Sequence, residues 1–206
     1  MIQVEANQVD LQNQDRYSKK GLWLLFLITA LPLHAWTIIL FLRDFSWLVK
    51  SRNVWDSIGV GSYELIFVFF ESILIFGIMI LLGYFLPKQW IEKKRNVFLA
   101  TFYMTISFWL IIYKIYEHYQ DMLTHKPFFQ LFIYSNNSLK NIYITILILA
   151  FFSVFITLYI VIKCMGVINF LSKIYERFSI LSACYIFFDV IGAIVIIIRN
   201  IKSMLK

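Results

Sequence analysis

From residue 21 onward the chain alternates long apolar runs with short polar breaks, and this pattern sets the first expectations. Apolar runs fall at about 21–42, 60–86, 97–116, 141–164 and 179–199. Each reaches the roughly 20 residues that a helix needs to cross a hydrocarbon core. No two-residue alternation broken by regular turns occurs, which argues against a membrane barrel. Backbone groups in lipid must pair within their own segment, so the runs predict helices. The expected fold is all-α, a multi-pass integral membrane helix bundle with five transmembrane helices. Residues 1–20 are polar and read as an amino-terminal tail, with 21–206 as a single transmembrane domain.

The breaks carry their own signals. "RDFSWLVKSRNVWDS" (43–57) mixes Trp47 and Trp55 with charges, as an interfacial segment does, and Asp56 or Ser57 is expected to cap the second helix. "PKQWIEKKR" (87–95) reads as a tight basic turn. "GVINFLSKIYERFS" (166–179) places apolar residues at helical spacing opposite Lys173, Glu176 and Arg177, which predicts a helix lying along the membrane surface. The first run is too long, and lacks the small-residue cleavage site, for a removed signal peptide.

Composition strengthens this picture. Apolar residues make up 61% of the chain and charged residues only 15%, too few to coat a water-facing surface. The net charge of +7 is distributed over the short breaks, which suits anionic headgroups and not a nucleic acid. For five spans, ten Lys and Arg fall on the amino-terminal side and nine on the other, so charge bias barely orients the chain. The cluster Lys88, Lys93, Lys94 and Arg95 points to a cytoplasmic amino terminus in a plasma (inner) membrane. A four-span alternative, with 179–199 not crossing, gives thirteen against six. Against it, that run holds one charge, and a single central Asp costs only about 2.5–3.5 kcal/mol on insertion scales. Cys164 and Cys184 suggest no disulfide framework and read as buried structural thiols.

Candidate chemistry lies where polar residues interrupt the spans. "GSYELIFVFFESILIFG" (61–77) carries Glu64 and Glu71, seven residues apart and therefore on one helix face. Glu64 is near enough to an interface to snorkel, whereas Glu71 is central. Asp189 is central in the fifth run, sharing a face with Ser182, Tyr185 and Gly192. His34 is central in the first, beside Pro32, which frees a carbonyl. Counted along their own runs, His34, Glu71 and Asp189 reach similar depth in three helices. Isolated ionisation there is too costly, so an interior polar cluster is expected, supported by Ser153 and Thr157 on the fourth span and Thr101 and Thr105 on the third.

Two functions fit. One is a proton or cation channel or transport component using Glu64, Glu71, Asp189 and His34, in which Glu71→Gln with Asp189→Asn abolishes a leak. The other is a non-conducting accessory, anchoring or regulatory subunit whose acids hold helices together or meet basic residues of a partner. A bundle this thin is expected to self-associate or to join a larger membrane complex. "YEHYQDMLTH" (116–125) offers His118, Asp121 and His125 on one helix face as a metal site, at a spacing that matches no established motif. No nucleophile elbow, P-loop or dinucleotide fingerprint occurs, so neither an enzyme nor a bound cofactor is expected.

Overall fold

The computed structural model describes residues 17–124 and 138–204, with side chains described for 17–117 and 143–202. Five α-helices account for almost all of this: α1 (Lys19–Ser51), α2 (Val54–Phe85), α3 (Glu92–Thr124), α4 (Ser138–Lys163) and α5 (Met165–Met204). All five are long and apolar enough to span a membrane. The protein is therefore an all-helical integral membrane bundle.

The helix ends are set by short polar devices. Ser18 caps α1, its hydroxyl accepting from the Gly21 amide at 3.0 Å. Between α1 and α2 only Arg52 and Asn53 are non-helical, and Asn53 accepts from the Asp56 amide at 2.7 Å. The cap is thus Asn53, three residues earlier than the sequence suggests, and the expected interfacial segment 43–57 is mostly helix. Pro87 lacks the N–H needed to continue α2 and ends it. Between α4 and α5 the break is the single residue Cys164, whose carbonyl accepts from both Val167 and Ile168.

α1, α2 and α5 make up the tightest group, α3 packs on α1, and α4 lies against α3 at the edge. Facing residues fix the directions. A Cβ on Gly61 would meet the Phe41 ring, and one on Gly192 would lie 3.3 Å from the Ser62 carbonyl. α2 is therefore antiparallel to α1 and to α5, while α1 and α5 run parallel. Lys93 of α3 donates to Asn169 of α5 at 2.8 Å, and Tyr175 of α5 shares a 2.8 Å hydrogen bond with Thr101 of α3. Those contacts draw the start of α5 into the bundle. The segment 166–179 is not a separate surface helix but the first part of α5, held to α3 through Asn169 and Tyr175, while Lys173, Glu176 and Arg177 make no side-chain bond to a described residue.

The core is narrow, centred on Leu25, Ile28, Leu99, Val161 and Ile168. α4 presents Leu147, Phe151, Phe152, Phe155 and Tyr159 outward, as lipid-facing helices do. Cys164 and Cys184 are both exposed, which overturns the expectation of buried thiols. Cys164 sits at the α4–α5 break at the end of the bundle, and for Cys184 a thiol facing hydrocarbon is as well solvated as one in an apolar core, so hydropathy alone does not show which it is.

Candidate functional site

Pro32 interrupts the ladder of α1, since it cannot donate to the Ile28 carbonyl. Close by, the His34 imidazole turns back along its own helix, with Nδ1 2.9 Å from the Ala30 carbonyl. Its other nitrogen, Nε2, lies 2.9 Å from Oδ2 of Asp189 on α5. His34 has no solvent exposure and Asp189 only 4%. The Tyr185 ring lies nearly parallel to the imidazole, 8° off, with centroids 6.4 Å apart.

This geometry fixes one proton. A carbonyl only accepts, so Nδ1 carries hydrogen and donates to Ala30. The second proton lies between Nε2 and Oδ2. Either an imidazolium donates to a carboxylate, or a carboxylic acid donates to a neutral imidazole. Removing that proton would leave a lone pair facing a carboxylate, so the pair holds at least one in common. The remaining oxygen, Asp189 Oδ1, is buried and has no hydrogen-bond partner among the described residues.

Close helix approach makes the site possible. Gly192, one turn past Asp189, lets the α2 backbone pass at Ser62. Ser62, Ser72 and Ser182 return their hydroxyls to carbonyls four residues back, so none serves Asp189.

The other candidates disperse. With Ser62 opposite Gly192 in an antiparallel pair, Asp189 is level with about Leu65. Glu71 then falls six residues further along, roughly 9 Å away in depth. It is half-buried, near Tyr103 of α3, and makes no hydrogen bond or ion pair with a described residue. The matched depth of Glu71 and Asp189 is therefore corrected. Glu64 is the acid nearer Asp189 in depth, and it lines a cleft of about 320 Å³ between α1, α2 and α5. Thr37, Ser62, Phe188 and Gly192 line the same cleft, which reaches the residues flanking the pair. Ser153 and Thr157 belong elsewhere: Ser153 accepts from the Trp109 indole at 2.6 Å, and Thr157 donates to the Ser153 carbonyl. Ser153 thus ties α4 to α3, Thr157 bonds only within α4, and Thr101 ties α3 to α5.

His118 and Asp121 lie where only the backbone is described, and His125 lies outside the described residues. Glu117 beside them is paired with Lys114 at 2.7 Å. Among the described residues no group of three or more His, Cys, Asp or Glu side chains is placed to share a metal ion.

At the opposite end from the Glu64 cleft, a second cleft of about 240 Å³ opens between α1, α3 and α5 and ends at Ile28. Ile28 is six residues before His34, roughly 9 Å along α1. Packed side chains, Ile28 and Leu31 among them, occupy that interval. No protein family, curated protein or solved structure matches the chain.

Proposed function

We propose that this integral membrane protein handles protons, with the His34–Asp189 pair as its relay and Glu64 as the acid that serves it from one side. The observation that carries the reading is the pair itself, buried between two clefts with Asp189 Oδ1 unpartnered among the described residues. A purely structural tie would be expected to use both carboxylate oxygens, because a buried acceptor left unmet costs about 1–3 kcal/mol. An open acceptor beside a shared proton is what a transfer site requires. A proton reaching Oδ1 makes Asp189 a carboxylic acid facing an imidazolium. The excess charge is costly at that depth, and its relief is loss of one proton to either side.

The test is dye-reported proton flux into liposomes holding the purified chain. Asp189→Asn removes the titrating group in nearly the same shape and should lower flux at least about tenfold, and Glu64→Gln should lower it less. Glu71→Gln, roughly 9 Å away in depth, should leave it near wild type. Wild-type liposomes no leakier than empty ones would overturn the proposal.

Glu64 also favours a second reading. It stands exposed on α2 among outward-facing Tyr63 and Phe67, where a basic residue of a partner helix would neutralise it. In that case the chain is a non-conducting subunit of a larger membrane complex or a homo-oligomer. The basic cluster 88–95, on the same side as Lys19 and Lys20, supports a cytoplasmic amino terminus in a plasma membrane in either case.

A further inference from the structure

The cleft that ends at Ile28 differs in character from the Glu64 cleft. Its walls carry two polar side chains more than nine-tenths buried, Asn96 (7% exposed) and Ser172 (6%). Neither makes a hydrogen bond with a described residue, and Asn96 Oδ1 is a buried acceptor without a partner there. Ser172 differs from most other buried helical hydroxyls. Ser57, Ser62, Ser72, Thr101 and Ser182 are equally buried, and each donates to the carbonyl four residues back. Ser172 instead keeps its hydroxyl free for the cleft.

Charges of both signs stand at the mouth: Lys20 and Lys93, Glu92 and Glu176. Two of the four are committed. Glu92 Oε1 accepts from the Ser18 amide and hydroxyl, both at 2.8 Å, and Lys93 donates to Asn169. Lys20 and Glu176 remain, one cation and one anion, with no side-chain partner among the described residues. Leu24, Leu25, Ile28 and Val97 form the inner wall. From Lys20 to Ile28 the cleft descends eight residues of α1, roughly 12 Å. It therefore runs from the polar edge of the first span into its apolar part, the depth range of a headgroup and its first methylenes.

We propose that this cleft binds a zwitterionic phospholipid bearing a primary ammonium, the phosphoethanolamine headgroup. Lys20 and the Ser172 hydroxyl take the phosphate. Glu176 takes the ammonium at the mouth, and the Asn96 amide, once turned into the cleft, offers Oδ1 to a second N–H and gains the donor it lacks. The apolar inner wall receives the glycerol and the start of an acyl chain. Balanced charge at the mouth selects against a purely anionic lipid, because Glu176 would then face a phosphate with no cation between.

The experiment is native mass spectrometry of the full chain taken from vesicles of equal phosphatidylethanolamine, phosphatidylcholine and phosphatidylglycerol. The expected result is retention of phosphatidylethanolamine about tenfold over phosphatidylcholine, whose trimethylated nitrogen has no N–H to donate. Ser172→Leu fills the cleft and Glu176→Gln removes the ammonium's counter-charge, so each should bring the ratio towards one. Phe170→Leu, on the outward face of α5, should leave it unchanged. Because Glu176 is exposed, Glu176→Gln keeps the test valid even where Ser172→Leu fails to fold. Equal retention of all three lipids, or a preference that survives both substitutions, overturns the proposal. So does protection against thermal unfolding by millimolar free phosphoethanolamine equal to that given by the lipid, which would mean a soluble ligand. The readout is lipid retention and not flux, so a failure of this inference is distinguishable from a failure of the proton reading.

Discussion

The His34–Asp189 contact can be weighed by replacing each partner with leucine, singly and together. His34→Leu leaves both Asp189 oxygens without a partner at a 4%-exposed position. Breaking a buried charge pair by removing one member costs about 3–5 kcal/mol, and protonation of Asp189 offers partial relief, so about 3 kcal/mol is expected. Asp189→Leu leaves only the imidazole Nε2 unmet, because Nδ1 keeps its bond to Ala30. One unsatisfied buried nitrogen costs about 1–3 kcal/mol, centred near 2. In the double variant no polar atom is stranded, and an apolar pair of similar volume is near neutral, about 1 kcal/mol with imperfect packing. The two single losses together should thus exceed the double loss by about 4 kcal/mol.

That figure separates two physical pictures. Interhelical polar contacts in membranes couple by about 0.6 kcal/mol on average, because the unfolded chain in lipid also finds partners. A contact of that ordinary kind would leave the three variants nearly additive. The assay is reversible unfolding in mixed micelles by titration with a denaturing detergent, followed by far-ultraviolet circular dichroism. A coupling below about 1 kcal/mol would refute the reasoning that the pair shares a proton at full burial, and with it the relay.

Other positions make independent claims. Cys164 lies beside Lys163 at the break between α4 and α5, at the end of the bundle. Cys184 faces outward from α5, seven residues beyond Arg177 and so about two turns further into the apolar part of that helix. Only the first therefore has water beside it. Thiolate is the reactive form and needs water, so a hydrophilic maleimide applied to vesicles from both sides should label Cys164 and leave Cys184 unmodified. Rapid labelling of Cys184 would mean that this part of α5 is not in lipid. Gly21 faces Glu92 and Asn96 so closely that an added Cβ would collide with both. Both are the ends of flexible side chains, so Gly21→Ala should push the Glu92 carboxylate off Ser18 and cost about 1 kcal/mol in the same micelle assay, and an unchanged stability would show that the Ser18–Glu92 bonds carry no weight.

Much of the fold is legible in the sequence because lipid imposes it. Each span must be helical and apolar over a fixed length, so the five runs mark the five helices. Their ends are less legible. α1 and α5 continue well past their apolar runs, and nothing in 166–179 distinguishes an amphipathic helix on headgroups from one docked on α3. Only the bond from Tyr175 to Thr101 and that from Lys93 to Asn169 make the distinction. The site divides in the same way. His34 and Asp189 stand out as titratable groups deep in spans, but 155 residues separate them and pairing depends on which helices touch. Counting along its own run groups Glu71 with them, an inference that assumes every span is centred alike. The contact of Gly192 with Ser62 sets the register of α2 against α5 and moves Glu71 out of line. Asn96 and Ser172 carry no sequence signal, because a helical serine ordinarily satisfies itself.

The topology also bears on what the pair can do. His34 and Asp189 belong to the first and last helices, which run parallel and so require an odd number of crossings. If 179–199 did not cross, Ser182, Asp189 and Gly192 would not lie along α1 and α2, and their buried face would have no counterpart. The polar residues of α5 therefore argue for five spans more strongly than its hydropathy does. The same contact closes the bundle, since no loop joins α1 to α5 directly. A second proton on the pair converts an ionic or shared-proton contact into one between an imidazolium and a neutral acid, weakening the attraction between the two helices while adding buried charge. Protonation and the α1–α5 contact are thus thermodynamically linked. The proposed relay would therefore change the packing of the two helices around it each time it loaded, which a pair confined to one hairpin would not do.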